Sequence, residues 1–347
     1  MEQILDLTLP QLEARLRGWG EPPYRARQVW EWIYRHGAAR FDQMTNLPAA
    51  LRERLETAFT LAPFEPVAEH LSADGQTRKL ALRLADGEII ETVWMRYENR
   101  QSVCVSTQAG CAMGCVFCAT GQGGLRRNLT AGEIVGQVLA FARLLAPQTT
   151  HVTNVVFMGM GEPFANYDAV WQAACTLMDP AGLGLGARRI VISTVGLIPG
   201  IRRFAQERSQ VRLAISLHAP DDALRDQLIP INRAHPVSPL MDAVRDYVKL
   251  TGRRVTFEYA LIAGVNDKPE QAQALAALLR GLPAHVNLIP LNPVADSPWR
   301  PSPRERVRRF QAALTEHGIA CTVRLGRGTD IQAACGQLRA RTLQASA

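Results

Sequence analysis

Apolar and polar positions along the chain follow two rhythms, and the change between them falls near residue 66. Residues 1 to about 60 read as helical. YRARQVWEWIYRHG puts Val29, Trp30, Ile33 and Tyr34 at helix-compatible spacing, and LPAALRERLETAF is a second amphipathic stretch. From about 66 to 97 the period shortens. There RKLALRL and EIIETVWMR flank Ala85-Asp86-Gly87, which predicts a β-hairpin closed by a glycine-containing turn.

Beyond residue 98, near-continuous β-branched runs alternate with helical segments. The runs are SVCVST (102–107), TNVVFM (153–158), RIVIST (189–194), VRLAISL (211–217), VTFEYALI (255–262) and HVNLIP (285–290). Strands covered by helices on both faces need such unbroken apolarity, and a helix after each strand connects parallel neighbours. One connecting segment, TAGEIVGQVLAFARLL, opens with Thr130 and Glu133 at capping-box spacing. The predicted fold class is α/β, a partial (βα)6 barrel, because six units are too few for an eightfold one. VRRFQAALTEHG and IACTVR supply a closing helix and a terminal strand. The expected organisation is a small helical N-terminal domain (1–65), a β-hairpin extension (66–97), the α/β core (98–330) and a C-terminal segment (331–347).

Composition changes this picture little: 47% hydrophobic and 20% charged residues are ordinary for a globular protein. No apolar run approaches the roughly 20 residues that span a bilayer. The best candidate, VGQVLAFARLLAP, carries Arg143 in its middle. MEQILDLTLPQLEARL lacks the basic-then-apolar order of a secretory signal, so the expected location is cytoplasmic. Thiols stay reduced there, and a cysteine cluster points to metal or redox chemistry before disulfides. The net charge of +7 is compatible with a nucleic-acid partner. The densest basic runs are PPYRARQVWEWIYRHGAAR, LRRN at 125–128 and RPSPRERVRRF at 300–310, although a solvated helix face accounts for any single one of them.

In parallel α/β folds, functional groups gather at the carboxyl ends of strands. The first run leads into GCAMGCVFCATG, with Cys111, Cys115 and Cys118. Glu162 follows the second, Ser193 ends the third, Ser216 and His218 end the fourth, and Asn292 follows the sixth. Singly, these read as a strand cap, a turn residue or a satisfied core histidine. Together they predict one active-site rim. A structural zinc site wants four closed ligands, and here three thiolates stand alone at C-x3-C-x2-C spacing. Three thiolates suit an iron–sulfur cube whose fourth iron stays open to a ligand.

CAMGCVFC resembles the cluster motif of radical S-adenosylmethionine enzymes. Cys104, Cys335, ETVWMRY, CATGQGGLRRNLTAGEI, VVFMGMGEPFANY, LIPLNPV and DIQAACGQL extend the likeness to the RlmN/Cfr family of radical RNA adenine methyltransferases, over nearly the whole chain. The resemblance implies a [4Fe–4S] cluster on Cys111, Cys115 and Cys118. It implies S-adenosylmethionine contacts at Gly161, Glu162, Ser193, Ser216, Leu217, His218 and Asn292, with two such molecules used per turnover. One molecule methylates Cys335, and the other yields a radical that takes hydrogen from that S-methyl group. The sulfur-bound methylene adds to the adenine carbon, Glu91 accepts the ring proton, and Cys104 releases the product through a transient disulfide with Cys335.

GMGEPFANY and LIPLNPV resemble the C2-methylating branch more than the C8, antibiotic-resistance branch. The implied substrates are an adenine in the peptidyl-transferase centre of 23S rRNA and one beside the anticodon in some tRNAs. An external electron donor such as flavodoxin is implied as well. Phosphate contacts are expected from the N-terminal helices and Arg126-Arg127. Glu91 alone would read as an exposed hairpin carboxylate, and Cys335 as a buried terminal thiol. Cys175 and Cys321 read as packing residues. Two other classes compete: a radical enzyme for a small molecule or protein, which would not need Cys335, and an electron-carrying iron–sulfur module, which would want four protein ligands.

Overall fold

The computed structural model describes residues 1–294, 297–324 and 326–338. Its N-terminal part holds three helices, α1 (Leu9–Arg17), α2 (Tyr24–Tyr34) and α3 (Ala49–Ala58). Thr8 and Gln11 cap α1 reciprocally, and Val29, Trp30, Ile33 and Tyr34 are buried as their spacing predicts. Glu2–Gln3 pairs in parallel with Phe59–Thr60, which brings the two ends of this stretch together.

Among the described residues ten strands form the main sheet, and their spatial order is their chain order. The first four are antiparallel: β1 (Phe64–Leu71), β2 (Thr77–Leu84), β3 (Ile89–Tyr97) and β4 (Arg100–Cys104). From β4 onward every pairing is parallel, through β5 (Asn154–Phe157), β6 (Ile190–Thr194), β7 (Arg212–Ser216), β8 (Val255–Leu261), β9 (Ala284–Pro290) and β10 (Cys321–Val323). Between these strands run α4 (Ala131–Leu145), α5 (Tyr167–Met178), α6 (Ile198–Gln206), α7 (Val237–Thr251), α8 (Pro269–Leu279) and α9 (Arg304–Glu316). This is the (βα)6 order with a terminal strand. The strand side chains Val155, Ile190, Leu213, Ile215, Phe257 and Val286 are fully buried, each contributing about 1.5–3 kcal/mol.

Several hydrogen bonds fasten the N-terminal part to the core. The N–H of Gly132, at the start of α4, donates to Asp6 at 2.7 Å, and Arg143 donates to the carbonyls of Gly37 (2.9 Å) and Ala38 (2.8 Å). Thr130 and Glu133 form the expected capping box.

The β2–β3 hairpin is present, but it is one arm of a larger antiparallel unit. Strand β1 precedes it, and β3 pairs with β4 to make one continuous sheet with the parallel strands. FEPVAEHL hides its strand character because it lies at the sheet edge, where Pro66 and a bulge before Ala68 are tolerated. Cys175 is exposed rather than packed: on α5 the buried face belongs to Ala173, Ala174 and Leu177. Cys321 is half-buried. No helix among the described residues is long and apolar enough to cross a membrane.

Candidate active site

A two-stranded ribbon, Gln108–Gly110 with Leu125–Asn128, holds the cysteine loop where β4 ends. Gly110 (φ +80°) closes the loop: any Cβ there would lie 2.0 Å from the carbonyl oxygen of Gly124. The Cys111 N–H donates to that same oxygen at 2.9 Å, and the Cys118 N–H to the Cys115 carbonyl at 3.1 Å. Cys111, Cys115 and Cys118 all face one cavity. Burial pushes the Cys111 thiol up to about 11 and raises Cys115 further, with neighbouring thiolates adding to both.

The same cavity is lined by Gly161, Glu162, Ser193, Ser216, His218 and Asn292, each at or just past the end of a parallel strand. Glu162 is buried, with Phe164 N–H at 3.0 Å on one oxygen and Val195 N–H at 2.8 Å on the other. Burial raises its carboxyl to about 7 against the pull of those donors. Gly161 (φ +103°) lets the chain pass Gln108, whose Cβ would stand 2.6 Å from an added methyl. The hydroxyls of Ser193 and Ser216 are 3.3 Å apart. His218 (φ +59°) packs edge-on against Phe117 of the cysteine loop at 4.9 Å. Leu217 is fully buried and not on the cavity wall, and its carbonyl accepts Arg225 Nε at 3.1 Å.

Cys335 reaches this cavity from the far end of the chain, and it borders a second one that also contains Cys104. Its carbonyl accepts Asn292 Nδ2 at 3.0 Å, while the next residue, Gly336, accepts the N–H of Ala119 beside Cys118 at 2.8 Å. The residue is exposed, but onto cavity space: the enclosing walls raise its thiol, Arg324 opposes the rise, and Glu258 and Cys118 add to it. Cys104 is buried, which together with the nearby Cys335 raises its thiol to about 12. Glu91 departs from the exposed reading. It is buried on β3, outside the first cavity, with Lys79 Nζ 2.9 Å from Oε1.

Two residues of this region were not singled out in the sequence. Glu258 on β8 is a buried carboxylate facing the cavity; Asn287 donates to Oε1 at 2.8 Å, while Oε2 has no hydrogen-bond partner among the described residues and lies 3.6 Å from Arg324. Arg225, on the short helix Asp222–Leu228, is fully buried and clamps the rim. Besides Leu217, its guanidinium donates to the carbonyls of Val195, Ser216 (3.4 Å) and His235 (3.3 Å) and to Asn232 Oδ1 (2.6 Å). The signal was available for Glu258, a carboxylate inside an otherwise apolar strand. Arg225, in DDALRDQL, looks like any surface-helix cation.

Among the described residues no three histidine, cysteine or carboxylate side chains converge on a point that would bind one metal ion. Three cysteine thiols on one cavity wall are the soft donor set that an iron–sulfur cluster takes, so the loop fits one. A buried carboxylate oxygen without a donor, on the wall of the same cavity, fits a polar cofactor beside it.

Comparison with known proteins agrees. Residues 2–61 match the ribosomal RNA large subunit methyltransferase N-terminal domain, and residues 105–276 match the radical SAM superfamily. A "probable dual-specificity RNA methyltransferase RlmN" of Chloroflexus aurantiacus is 54% identical, covering 98% of this chain and 94% of its own. Its counterpart in Geobacillus kaustophilus is 49% identical, covering 98% and 93%. The crystal structure of a radical SAM methyltransferase from Sphaerobacter thermophilus superposes with a TM-score of 0.96 at 54% identity, covering 98% of this chain and all of that one. Membership of the superfamily implies S-adenosylmethionine and an iron–sulfur cluster as cofactors. The chain is a radical S-adenosylmethionine RNA methyltransferase and belongs to the RlmN family.

Proposed function

We propose that the protein methylates C2 of one adenine in 23S rRNA, and of the adenine beside the anticodon in some tRNAs, with Cys335 carrying the methyl group. The observation that carries this reading is the place of Cys335 between two cavities, one with the cysteine loop and rim, the other with Cys104. The cofactors, a [4Fe–4S] cluster on Cys111, Cys115 and Cys118 and two S-adenosylmethionine molecules per turnover, supply the methyl group and the hydrogen-abstracting power.

The remaining work belongs to the chain. Glu162 offers a carboxylate to the cofactor's amino group. Gly161, Ser193, Ser216, His218 and Asn292 shape the pocket around it, Leu217 supports that wall from behind, and Asn292 also holds the Cys335 backbone. Glu91 accepts the proton lost from the adenine ring. Cys104 thiolate then attacks the Cys335 sulfur, the S–CH2 bond breaks with its electron pair going to the base and taking a proton from solvent to complete the methyl group, and external reduction of the disulfide resets the pair. Residues 1–65 and Arg126 meet RNA phosphate; Arg127 already pairs with Asp86 and Glu133. Residues 66–97 are the hairpin extension, 98–330 the catalytic core and 331–347 the carrier segment. A flavodoxin-like donor in the cytoplasm supplies electrons.

The test is anaerobic. Reconstituted protein receives S-adenosylmethionine, reductant and unmodified 23S rRNA or tRNA, and the modified nucleoside is identified by mass spectrometry. The expected product is 2-methyladenosine, lost in Cys335→Ala. 8-Methyladenosine would assign the chain to the other branch, and product from Cys335→Ala would sink the carrier role.

A further inference from the structure

Lys79 lies on β2 with its charged end buried, a costly place for an ammonium unless it is paired. It has two partners. Nζ stands 2.9 Å from Oε1 of Glu91 on β3, and it donates to the backbone oxygen of Gln332 at 3.3 Å. The first partner is the proposed proton acceptor; the second stands three residues before Cys335. Gln332 is itself unusual, with φ +53°, a conformation that costs a non-glycine residue energy and persists where surrounding contacts hold it.

Other contacts bind this segment to the same sheet margin. Asp330 accepts the N–H of Ala73 at 2.9 Å. Arg327 donates to Gln76 at 2.7 Å and to the Arg96 carbonyl at 2.9 Å, with its guanidinium 4.3 Å from the centre of the Tyr97 ring. Those contacts anchor the segment at its outer end. Lys79 acts nearer the thiol and joins the segment to Glu91.

We propose that Lys79 is a positioning residue whose single ammonium sets the Glu91 carboxylate and the Cys335 segment relative to one another, so that proton acceptor and methyl carrier address the same adenine. The inference rests on the reading of Glu91 given above. An ammonium suits the task because it carries three donors on one compact charge. A neutral side chain would leave Glu91 without this buried cation and would release the Gln332 carbonyl. Losing a purely structural cross-strand ion pair would lower stability without loosening the segment that carries Cys335.

The test compares reconstituted wild type with Lys79→Met, Lys79→Arg and Lys79→Gln. Hydrogen exchange is followed over residues 326–338, Cys335 S-methylation by intact mass, and RNA methylation by kcat and KM. In Lys79→Met, exchange over 326–338 should quicken roughly tenfold while the rest of the sheet keeps its protection. The kcat for RNA should fall on the order of a hundredfold, the scale of a lost proton-transfer partner, with KM for RNA changed less than about threefold. Cys335 should still become methylated, and Lys79→Arg should recover most of kcat and of the protection. Unchanged exchange over 326–338 together with unchanged kcat in Lys79→Met would overturn the proposal. Should that variant not fold, the same two outcomes are read from Lys79→Gln. Glu91→Gln separates the two ideas: full RNA methylation there sinks the role of Glu91, whereas the exchange result tests the tie from Lys79 to Gln332 independently.

Discussion

The backbone N–H of Ala260 donates to Nδ1 of His218 at 2.8 Å, which leaves Nε2 as the protonated nitrogen of a neutral ring. Burial, and then the Arg225 cation, push the imidazolium of His218 down to about 3. The folded state excludes a proton that the unfolded chain accepts. The stability linked to this group is therefore complete above about pH 6.5 and falls as pH drops towards 3, by at most about 1.4 kcal/mol per unit. His218→Asn, which tolerates the positive φ, should flatten the pH dependence of unfolding between about pH 4 and 6 by close to one proton. Urea titrations at several pH values measure this slope; an unaltered slope would mean that His218 is charged in the fold.

Glu162 is fixed by two backbone donors, so its carboxylate is oriented before any cofactor arrives. Glu162→Gln keeps an oxygen for one donor and loses the charge. S-Adenosylmethionine should bind on the order of tenfold to a hundredfold more weakly, the usual worth of a charge-assisted hydrogen bond. Calorimetry on cluster-reconstituted protein reads the difference, and equal affinities would remove Glu162 from the amino-group site.

The two thiols of the proposed disulfide differ sharply in accessibility. With Cys104 held at about 12, only roughly one molecule in 10⁴ to 10⁵ carries its thiolate near neutral pH. Iodoacetamide at pH 7.5 should modify Cys335 well before Cys104, and the Cys104 rate should climb about tenfold per pH unit. Peptide mapping by mass spectrometry follows both. Equal rates would contradict the burial of Cys104.

Arg225 is a cation whose hydrogen bonds all end on uncharged oxygens, four of them backbone carbonyls. Burial lowers it to about 10, so it remains charged at neutral pH. Arg225→Met should cost about 3–5 kcal/mol, because it leaves several carbonyls unpaired in a dry site. It should also weaken cofactor binding, since Val195 joins Arg225 on its carbonyl side to Glu162 on its N–H side. A shift in urea midpoint worth less than 1 kcal/mol, on the order of an ordinary surface substitution, would show that the clamp is dispensable.

Strands such as RIVIST and VTFEYALI were legible because burial on both faces demands unbroken apolar runs, and their carboxyl ends pointed to the rim. β1 was not, since an edge strand can carry Glu65, Pro66, Glu69 and His70 without harm. Local pattern likewise could not place Glu91: a carboxylate in a hairpin reads as solvated until the neighbouring strand shows Lys79 buried beside it. Leu217, marked as a cofactor contact by resemblance, is buried behind the cavity wall. Its carbonyl accepts Arg225 there, a backbone contact that side-chain pattern does not report.

Because spatial order in the sheet equals chain order, each strand can add to one already made as synthesis proceeds. The segment with Cys335 is the exception. It follows the tenth strand and returns to β2 and β3, near where the sheet begins. A nascent chain thus acquires its cysteine loop and most of its rim before Cys335 emerges, so the cavity that this thiol borders is completed only after the tenth strand has been made.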